Sequence, residues 1–335
     1  MSTLGLLLSS KLSIFALKIP QTHSHPPISP PPTMPSAAAL SELFWCLVGP
    51  WMFLYTVATY LPGTVLRLAR EGNPASLLSL SRLQGAWFNA FWSFWGPQIR
   101  TGRHGHVSAL LEGRVSAGHV VETPVHPPVG GVVLEIGPGA GYWVNLFSSS
   151  SKHSAPAAGP GSGAGGLRRR VAEGVTRVYG VEPNADAHPA LRQSVKEAGL
   201  EGVYEIVPAG IESLSDPSVW DGKIEKGSVD CIFSILCLCS IPEPERNIQE
   251  LYSYLKKGGR WYLYEHVQVS RSLPIRLYQR FVNIFWPRAL NGCQLCRNTG
   301  QTLQSAGPWS KVDIAQPPEE PWCQVVPHIF GTLTK

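Results

Sequence analysis

The chain has 335 residues, 44% of them hydrophobic, with 28 basic and 23 acidic side chains for a formal net charge of +5. That length and apolar content allow one domain of ordinary size with extensions, or two small ones, and exclude a disordered protein. The basic excess is spread out, with no run longer than Arg168-Arg169-Arg170, so nucleic-acid binding is not called for, whereas an anionic membrane surface would satisfy it. Seven cysteines are an odd number, and Cys231, Cys237 and Cys239 fall in apolar stretches, which favours reduced thiols facing the cytosol over a disulfide framework. Cys293 and Cys296 form a lone Cys-x-x-Cys without the second pair that a structural zinc site needs, so no metal is expected.

The first 36 residues read as an extension that does not fold. Met1 to about Ile19 is apolar and serine-rich with Lys11 and Lys18, and Pro/His/Ser sequence follows through Pro35. Two readings stand side by side: a signal or transit segment, or a chain whose true start is Met34. Residues 37–75 form the next unit. Leu43 to Leu66 carries no charge and mixes Phe44, Trp45, Trp51, Phe53, Tyr55 and Tyr60 with aliphatic residues, which meets the roughly 20 apolar residues needed to cross a bilayer. Pro50 and Pro62 set a bent hairpin in one leaflet against a straight span. Arg67, Arg70 and Arg82 follow the apolar run while Glu42 precedes it, so the rest of the chain is expected on the cytosolic side.

Residues 76–130 are an aromatic-rich linker. Trp87, Phe88, Phe91, Trp92, Phe94 and Trp95, between Arg82 and Arg100, suit either a helix at the headgroup boundary or the first helix of the following domain, with different faces serving each. His119 to Pro128 is too proline-rich for regular structure.

Residues 131–335 read as an α/β domain. Val132-Val133-Leu134-Glu135-Ile136 has the pattern of a strand covered on both faces, and it runs into Gly137-Pro138-Gly139-Ala140-Gly141. A dinucleotide fingerprint would place its third glycine where Tyr142 stands; here Gly137, Gly139 and Gly141 alternate. Glu135, two positions before the first glycine, can pair with an ammonium group but would repel a pyrophosphate. A cationic cofactor without phosphate answers both points, and S-adenosyl-L-methionine meets that description. The Glu-x-Gly-x-Gly-x-Gly pattern is similar to motif I of the class I methyltransferases, which implies a Rossmann-like sheet with helices on both faces.

The remaining elements are placed on that frame. Tyr142 to Phe147 starts a helix, interrupted by a Ser/Gly/Ala/Pro insertion over residues 148–170. Val178 to Glu182 is the second strand. Glu182 lies 47 positions beyond Glu135, and removing the insertion restores a spacing of roughly 24, near the usual 20 for a carboxylate on the ribose hydroxyls. Pro183-Asn184 turns into a helix over Ala190 to Ala198. Val203 to Val207 is the third strand, with Gly210 and Ile211 set to line the adenine. Gly227 to Ser234 is the fourth, its carboxyl end, at Ser234, facing the transferable methyl. A helix with core spacing over Glu245 to Leu255 stops at Lys256-Lys257-Gly258-Gly259, and Arg260 to Tyr264 is the fifth strand, ending at Glu265-His266.

Within this domain Gly227 to Ser240, the Leu-Lys-Lys-Gly-Gly-Arg turn ending at Arg260, Glu265-His266-Val267, Asn291-Gly292-Cys293 with Leu295 and Arg297, and Pro327-His328-Ile329-Phe330-Gly331 resemble the methyltransferase-like 7 family. The resemblance covers Val132 to the carboxyl terminus apart from the insertion, and the anchor loosely. Pro138 replaces the small or cysteine residue usual between the first glycines, and the amino-terminal extension has no family counterpart. The resemblance implies an enzyme of the endoplasmic reticulum or lipid droplets that methylates small alkyl thiols. His266, at a strand end, is the candidate base for the thiol proton, against a structural histidine bonded to backbone; Cys237 and Cys239 read as core cysteines. The candidate cofactor residues are thus Glu135, Gly137, Gly139, Gly141, Glu182, Asn184, Gly210, Ile211 and Ser234. The partners expected are a small lipophilic substrate and membrane lipid. A quinone or lipid head-group methyltransferase, and a non-catalytic lipid-droplet protein that keeps the fold, are the alternatives.

Overall fold

A computed structural model describes residues 36–71, 77–148 and 174–335. The amino-terminal extension, through residue 35, and the low-complexity insertion, from residue 149, lie outside the described residues.

Helix α1 (Ala37–Ala58) starts at Ser36, whose hydroxyl accepts from the Ala39 N–H and satisfies one of the free donors of the first turn. Pro50 sits inside α1 without ending it, and the break comes at Thr59 and Tyr60; Pro62 then occupies the first turn of α2 (Leu61–Arg70), where a missing N–H costs nothing. Helix α3 (Leu80–Leu111) carries the second aromatic cluster. Its inner face is core: Phe91 is fully buried and Trp95 nearly so, while Phe94 is exposed. The Trp87 indole donates to the Val57 carbonyl, and Phe53 of α1 meets Phe91 and Trp95 edge to face. Burying such rings stabilises the α1–α3 contact by about 1.5–3 kcal/mol for each full side chain.

Strands β1 (Val115–Ser116) and β2 (His119–Val120) make a short antiparallel pair, and β2 occupies the first two residues of the His119–Pro128 stretch expected to be irregular. The main sheet follows with β3 (Gly131–Ile136), β4 (Val175–Val181), β5 (Tyr204–Val207), β6 (Val229–Ile235), β7 (Leu255–His266), β8 (Lys311–Ala315) and β9 (His328–Thr334). Its order is β5-β4-β3-β6-β7-β9-β8, with the first five parallel and β9 antiparallel to both β7 and β8. Helix α4 (His188–Glu197) buries Leu191 and Val195 on one face of the sheet against Val133 and Val178. Helix α5 (Pro244–Tyr254) buries Ile248 and Leu251 on the other against Leu134 and Ile232. Both faces are covered, which is why the central strands β3 and β6 are mostly apolar along their length. Strand order reverses between β3 and β6, and a ligand crevice is expected beyond the carboxyl ends there.

Two expectations change, and one pair of strands is new. The helix after the glycine turn is a single 3-10 turn, Val144–Phe147. The Lys256–Gly259 stretch does not lie outside the strand: β7 begins at Leu255 and absorbs the bend through Gly258 at φ +78°. The antiparallel pair β8–β9 was not read from the sequence at all. After β7 the chain forms α6 (Leu273–Val282), α7 (Trp286–Ala289) and α8 (Thr299–Ser305). Here α1 finds its second partner: the Trp51 indole donates to the Tyr278 hydroxyl at 2.7 Å, that hydroxyl donates to the Leu47 carbonyl, and Phe53 stacks on Trp286.

Candidate functional site

A cavity of about 1090 Å³ lies at the carboxyl ends of β3 to β7, beneath a roof of Trp45 and Phe53 from α1 and Phe88, Trp92 and Trp95 from α3. That volume lies at the top of the usual range for ligand sites, ~300–1,000 Å³.

The glycine turn forms one end. Gly137 and Gly139 have φ of +63° and +56°, a region that costs other residues strain. A Cβ on Gly137 would meet the Cys237 sulfur at 2.4 Å, so glycine there lets the turn after β3 touch the turn after β6. Gly139 faces open space, and its N–H donates to Glu182 Oε2 at 3.0 Å. The second carboxylate oxygen of Glu182 accepts from the Asn184 N–H at 2.9 Å, so backbone donors on both sides fix the carboxylate at the cavity wall. Burial raises the Glu182 pKa, and those two N–H donors oppose the rise. Asn184, Gly210 and Ile211 also line the wall. The Asn184 side chain accepts from the Asp186 N–H and so shapes the entry to α4. An anionic carboxylate with free lone pairs beside an open glycine turn suits a cationic nucleoside with ribose hydroxyls to donate.

Three expected cofactor contacts stand behind the wall instead. Glu135 is buried on β3 and accepts a 2.7 Å hydrogen bond from the Tyr204 hydroxyl; its side chain points across the sheet face rather than out of its end. Burial pushes its carboxyl up to about 7. Gly141, at φ +81°, serves packing: a Cβ there would meet Ser194 at 2.7 Å and Leu191 at 3.0 Å, so the glycine lets α4 close on the turn. Ser234 is fully buried and accepts from the Trp261 indole at 3.0 Å. Successive strand residues face opposite sides, and the cavity wall at this point is made by Ile235 and Leu236.

The other end of the cavity was not legible as a unit. His266, at the end of β7, has Nδ1 3.6 Å from the Cys293 sulfur, and the Cys293 thiol donates to the Cys239 sulfur at 3.2 Å. The three ligand atoms lie within 4.8 Å of one another, and all three residues line the cavity. Cys293 therefore partners Cys239 and His266 rather than Cys296, its neighbour in the Cys-x-x-Cys. Two residues with left-handed backbone, Leu236 (φ +54°) and Asn291 (φ +47°), stand two or three positions before the cysteines. Such strain in non-glycine residues persists where the surroundings enforce it and clusters at working sites. His328 faces His266 with ring centroids 4.7 Å apart; its Nδ1 is engaged by Glu320, and burial holds its pKa well below the ordinary range. Trp95 and Trp286, both on the wall, have buried indole N–H groups without a partner among the described residues.

Residues 117–305, more than half of the chain, match the family model described as a methyltransferase domain. The chain is 32% identical over 160 residues to thiol S-methyltransferase TMT1B of Homo sapiens, covering 48% of this chain and 62% of that protein. It is 29% identical over 160 residues, with the same coverage, to thiol S-methyltransferase TMT1B of Rattus norvegicus. It is also 26% identical over 155 residues to the phosphatidylethanolamine N-methyltransferase of Cereibacter sphaeroides, covering 46% of this chain and 60% of that protein. The chain thus spans less than two thirds of the length of these relatives.

Proposed function

The chain belongs to the methyltransferase-domain family, with S-adenosyl-L-methionine as its cofactor, and from that premise we propose that it methylates a small lipophilic acceptor, an alkyl thiol, at a membrane. The observation that carries this reading is the single cavity with a carboxylate and glycine turn at one end, a histidine at the other and an aromatic roof between. The cofactor supplies an activated methyl group on a sulfonium. The chain supplies orientation, worth up to about 7–11 kcal/mol in such displacements, and a dry surround for the nucleophile. Glu182 would take the ribose hydroxyls, with Gly137, Gly139 and Asn184 around it and Gly210 and Ile211 along the base. Glu135, Gly141 and Ser234 would act from behind, holding the strand ends and α4 in place. His266 is the proposed catalytic residue, assisting loss of the acceptor's proton.

Support for a thiol comes from the apolar roof and from two relatives whose names state thiol S-methyltransferase activity. A second reading, a lipid head-group methyltransferase, draws on the likeness to the phosphatidylethanolamine N-methyltransferase. Ala37–Arg70 is long and apolar enough to cross a membrane by length and composition, and α1 leaves Leu40, Phe44 and Tyr55 exposed on the side away from the cavity. We read α1 and α2 as the anchor, with the catalytic domain in the cytosol, at the endoplasmic reticulum or lipid droplets. The test is transfer of labelled methyl by detergent-solubilised protein to alkyl thiols, phenols, quinols and phosphatidylethanolamine in parallel. Thiol products support the reading; labelling confined to the amine lipid would replace it with the second.

A further inference from the structure

We propose that Cys239, His266 and Cys293 bind one zinc ion whose open position faces the cavity and takes the sulfur of the acceptor thiol, so that His266 assists loss of the acceptor's proton through the ion and not as a free base. The donor set is two thiols and one imidazole, drawn from three separate segments: the turn after β6, the end of β7 and the loop after α7. Catalytic zinc sites have three protein ligands and one open position, with Zn–S near 2.3 Å and Zn–N near 2.0–2.1 Å. Tetrahedral geometry at those lengths sets sulfur and nitrogen about 3.5 Å apart and the two sulfurs about 3.8 Å apart. The observed distances are 3.6 Å for Cys293 to His266 and 3.2 Å for Cys293 to Cys239. The first already fits, the second must open by about half an ångström, and Cys239 and His266 stand within 4.8 Å of each other. The sulfurs are well beyond the 2.03–2.05 Å of a disulfide.

The surroundings suit an ion. Cys239 and Cys293 are buried while His266 is half-buried, and all three line the cavity. Arg297 donates to the Leu238 carbonyl at 2.7 Å and interacts electrostatically with both thiols, which tempers the negative charge that accumulates when a third sulfur arrives. Zinc with two thiolates and a neutral imidazole carries no net charge. A bound alkyl thiol would release its proton to solvent and remain as a thiolate at neutral pH, where the free thiol is mostly protonated. A lone pair of that sulfur forms the new S–C bond with the methyl carbon; the old C–S bond breaks with its electron pair going to the cofactor sulfur, and the neutral thioether leaves the metal.

The substrate half of this proposal rests on the thiol reading; the ion site does not. The experiment loads the full chain, purified in detergent under reductant, with Co(II) in place of zinc. One cobalt per chain is expected, with a thiolate-to-cobalt charge-transfer band that Cys239→Ser and Cys293→Ser each abolish or weaken at least tenfold in cobalt affinity. Cys296→Ser should retain it, and calorimetric binding of S-adenosyl-L-methionine by every variant checks that each folds. Absence of the band, or a band that survives loss of both Cys239 and Cys293, overturns the site. Adding an alkyl thiol should shift the cobalt spectrum. An unshifted spectrum while that thiol is being methylated overturns the role of the ion in the reaction. A protein that holds cobalt through these cysteines yet methylates no thiol supports the site and removes the thiol assignment.

Discussion

The Tyr204 hydroxyl reaches across from β5, over the bare backbone of Gly180 on β4, to donate to Glu135 on β3. A Cβ on Gly180 would meet that hydroxyl at 2.2 Å, so the glycine is what admits the contact. An acid placed to meet a cofactor is thereby turned into part of the sheet interior, and this has a consequence for stability.

Burial raises both Glu135 and Glu320 to about 7, against about 4.3 for an unfolded glutamate. The folded protein then holds protons that the unfolded chain releases, so the contribution to stability is full below the unfolded pKa and is lost as pH rises through about 7. Thermal unfolding should accordingly show a loss of stability between pH 5 and pH 8. Glu135→Gln, which cannot ionise, should lower that slope while leaving the share due to Glu320; a variant with the slope of the parent would mean that Glu135 does not titrate in this range.

Glu182→Ala removes the acceptor for the Gly139 and Asn184 N–H groups as well as the carboxylate offered to the ribose. Charge-assisted hydrogen bonds are worth about 1.5–3 kcal/mol each, so affinity for S-adenosyl-L-methionine should fall at least tenfold by calorimetry. Unchanged affinity in a folded variant would take Glu182 out of the site.

His266→Asn distinguishes a free base from a metal ligand. General-base assistance is typically worth about 10²–10⁴ in rate, and its loss matters less as pH approaches the acceptor's own pKa. A deficit in His266→Asn that shrinks with rising pH, with Cys239→Ser and Cys293→Ser near the parental rate, would assign a free imidazole base. Comparable deficits in all three variants are the outcome expected for an ion held in common. Initial rates from pH 6.5 to 9 with one alkyl thiol decide between them.

Residues 37–70, fused to a fluorescent reporter, should carry it to internal membranes, since the segment holds the apolar face of α1 and the arginines of α2. A diffuse reporter would remove α1 and α2 as a self-sufficient anchor.

Much of the sheet was legible because strands covered on both faces are mostly apolar, as in β3, where Glu135 is the one charged residue, and in β6, where only Asp230 and Ser234 break the run. Glu182 was legible because its place at a strand end survives a long insertion in the preceding connection. What local pattern could not supply was direction. Ser234 and Ile235 are adjacent, yet the first meets Trp261 in the core and the second lines the cavity. The cluster of Cys239, His266 and Cys293 joins residues up to 54 positions apart through tertiary packing alone. The one local trace was Asn291-Gly292, a turn signal directly before Cys293, with both residues at positive φ. Strand β8 was missed because Lys311–Ala315 is a short edge strand with no fully buried residue and with Lys311 and Asp313 interrupting its apolar pattern.

Helix α1 supplies Trp45 and Phe53 to the cavity roof while its outer side chains Leu40, Phe44 and Tyr55 stay exposed. If those outer residues bed in lipid, an apolar thiol dissolved in the bilayer reaches the nucleophile's seat by passing along one helix, without its alkyl chain crossing open water. Turnover would then follow the acceptor's mole fraction in the surface, not its amount per volume of buffer: diluting mixed micelles with inert detergent at constant total thiol should lower the rate, and diluting with buffer at constant micelle composition should leave it nearly unchanged.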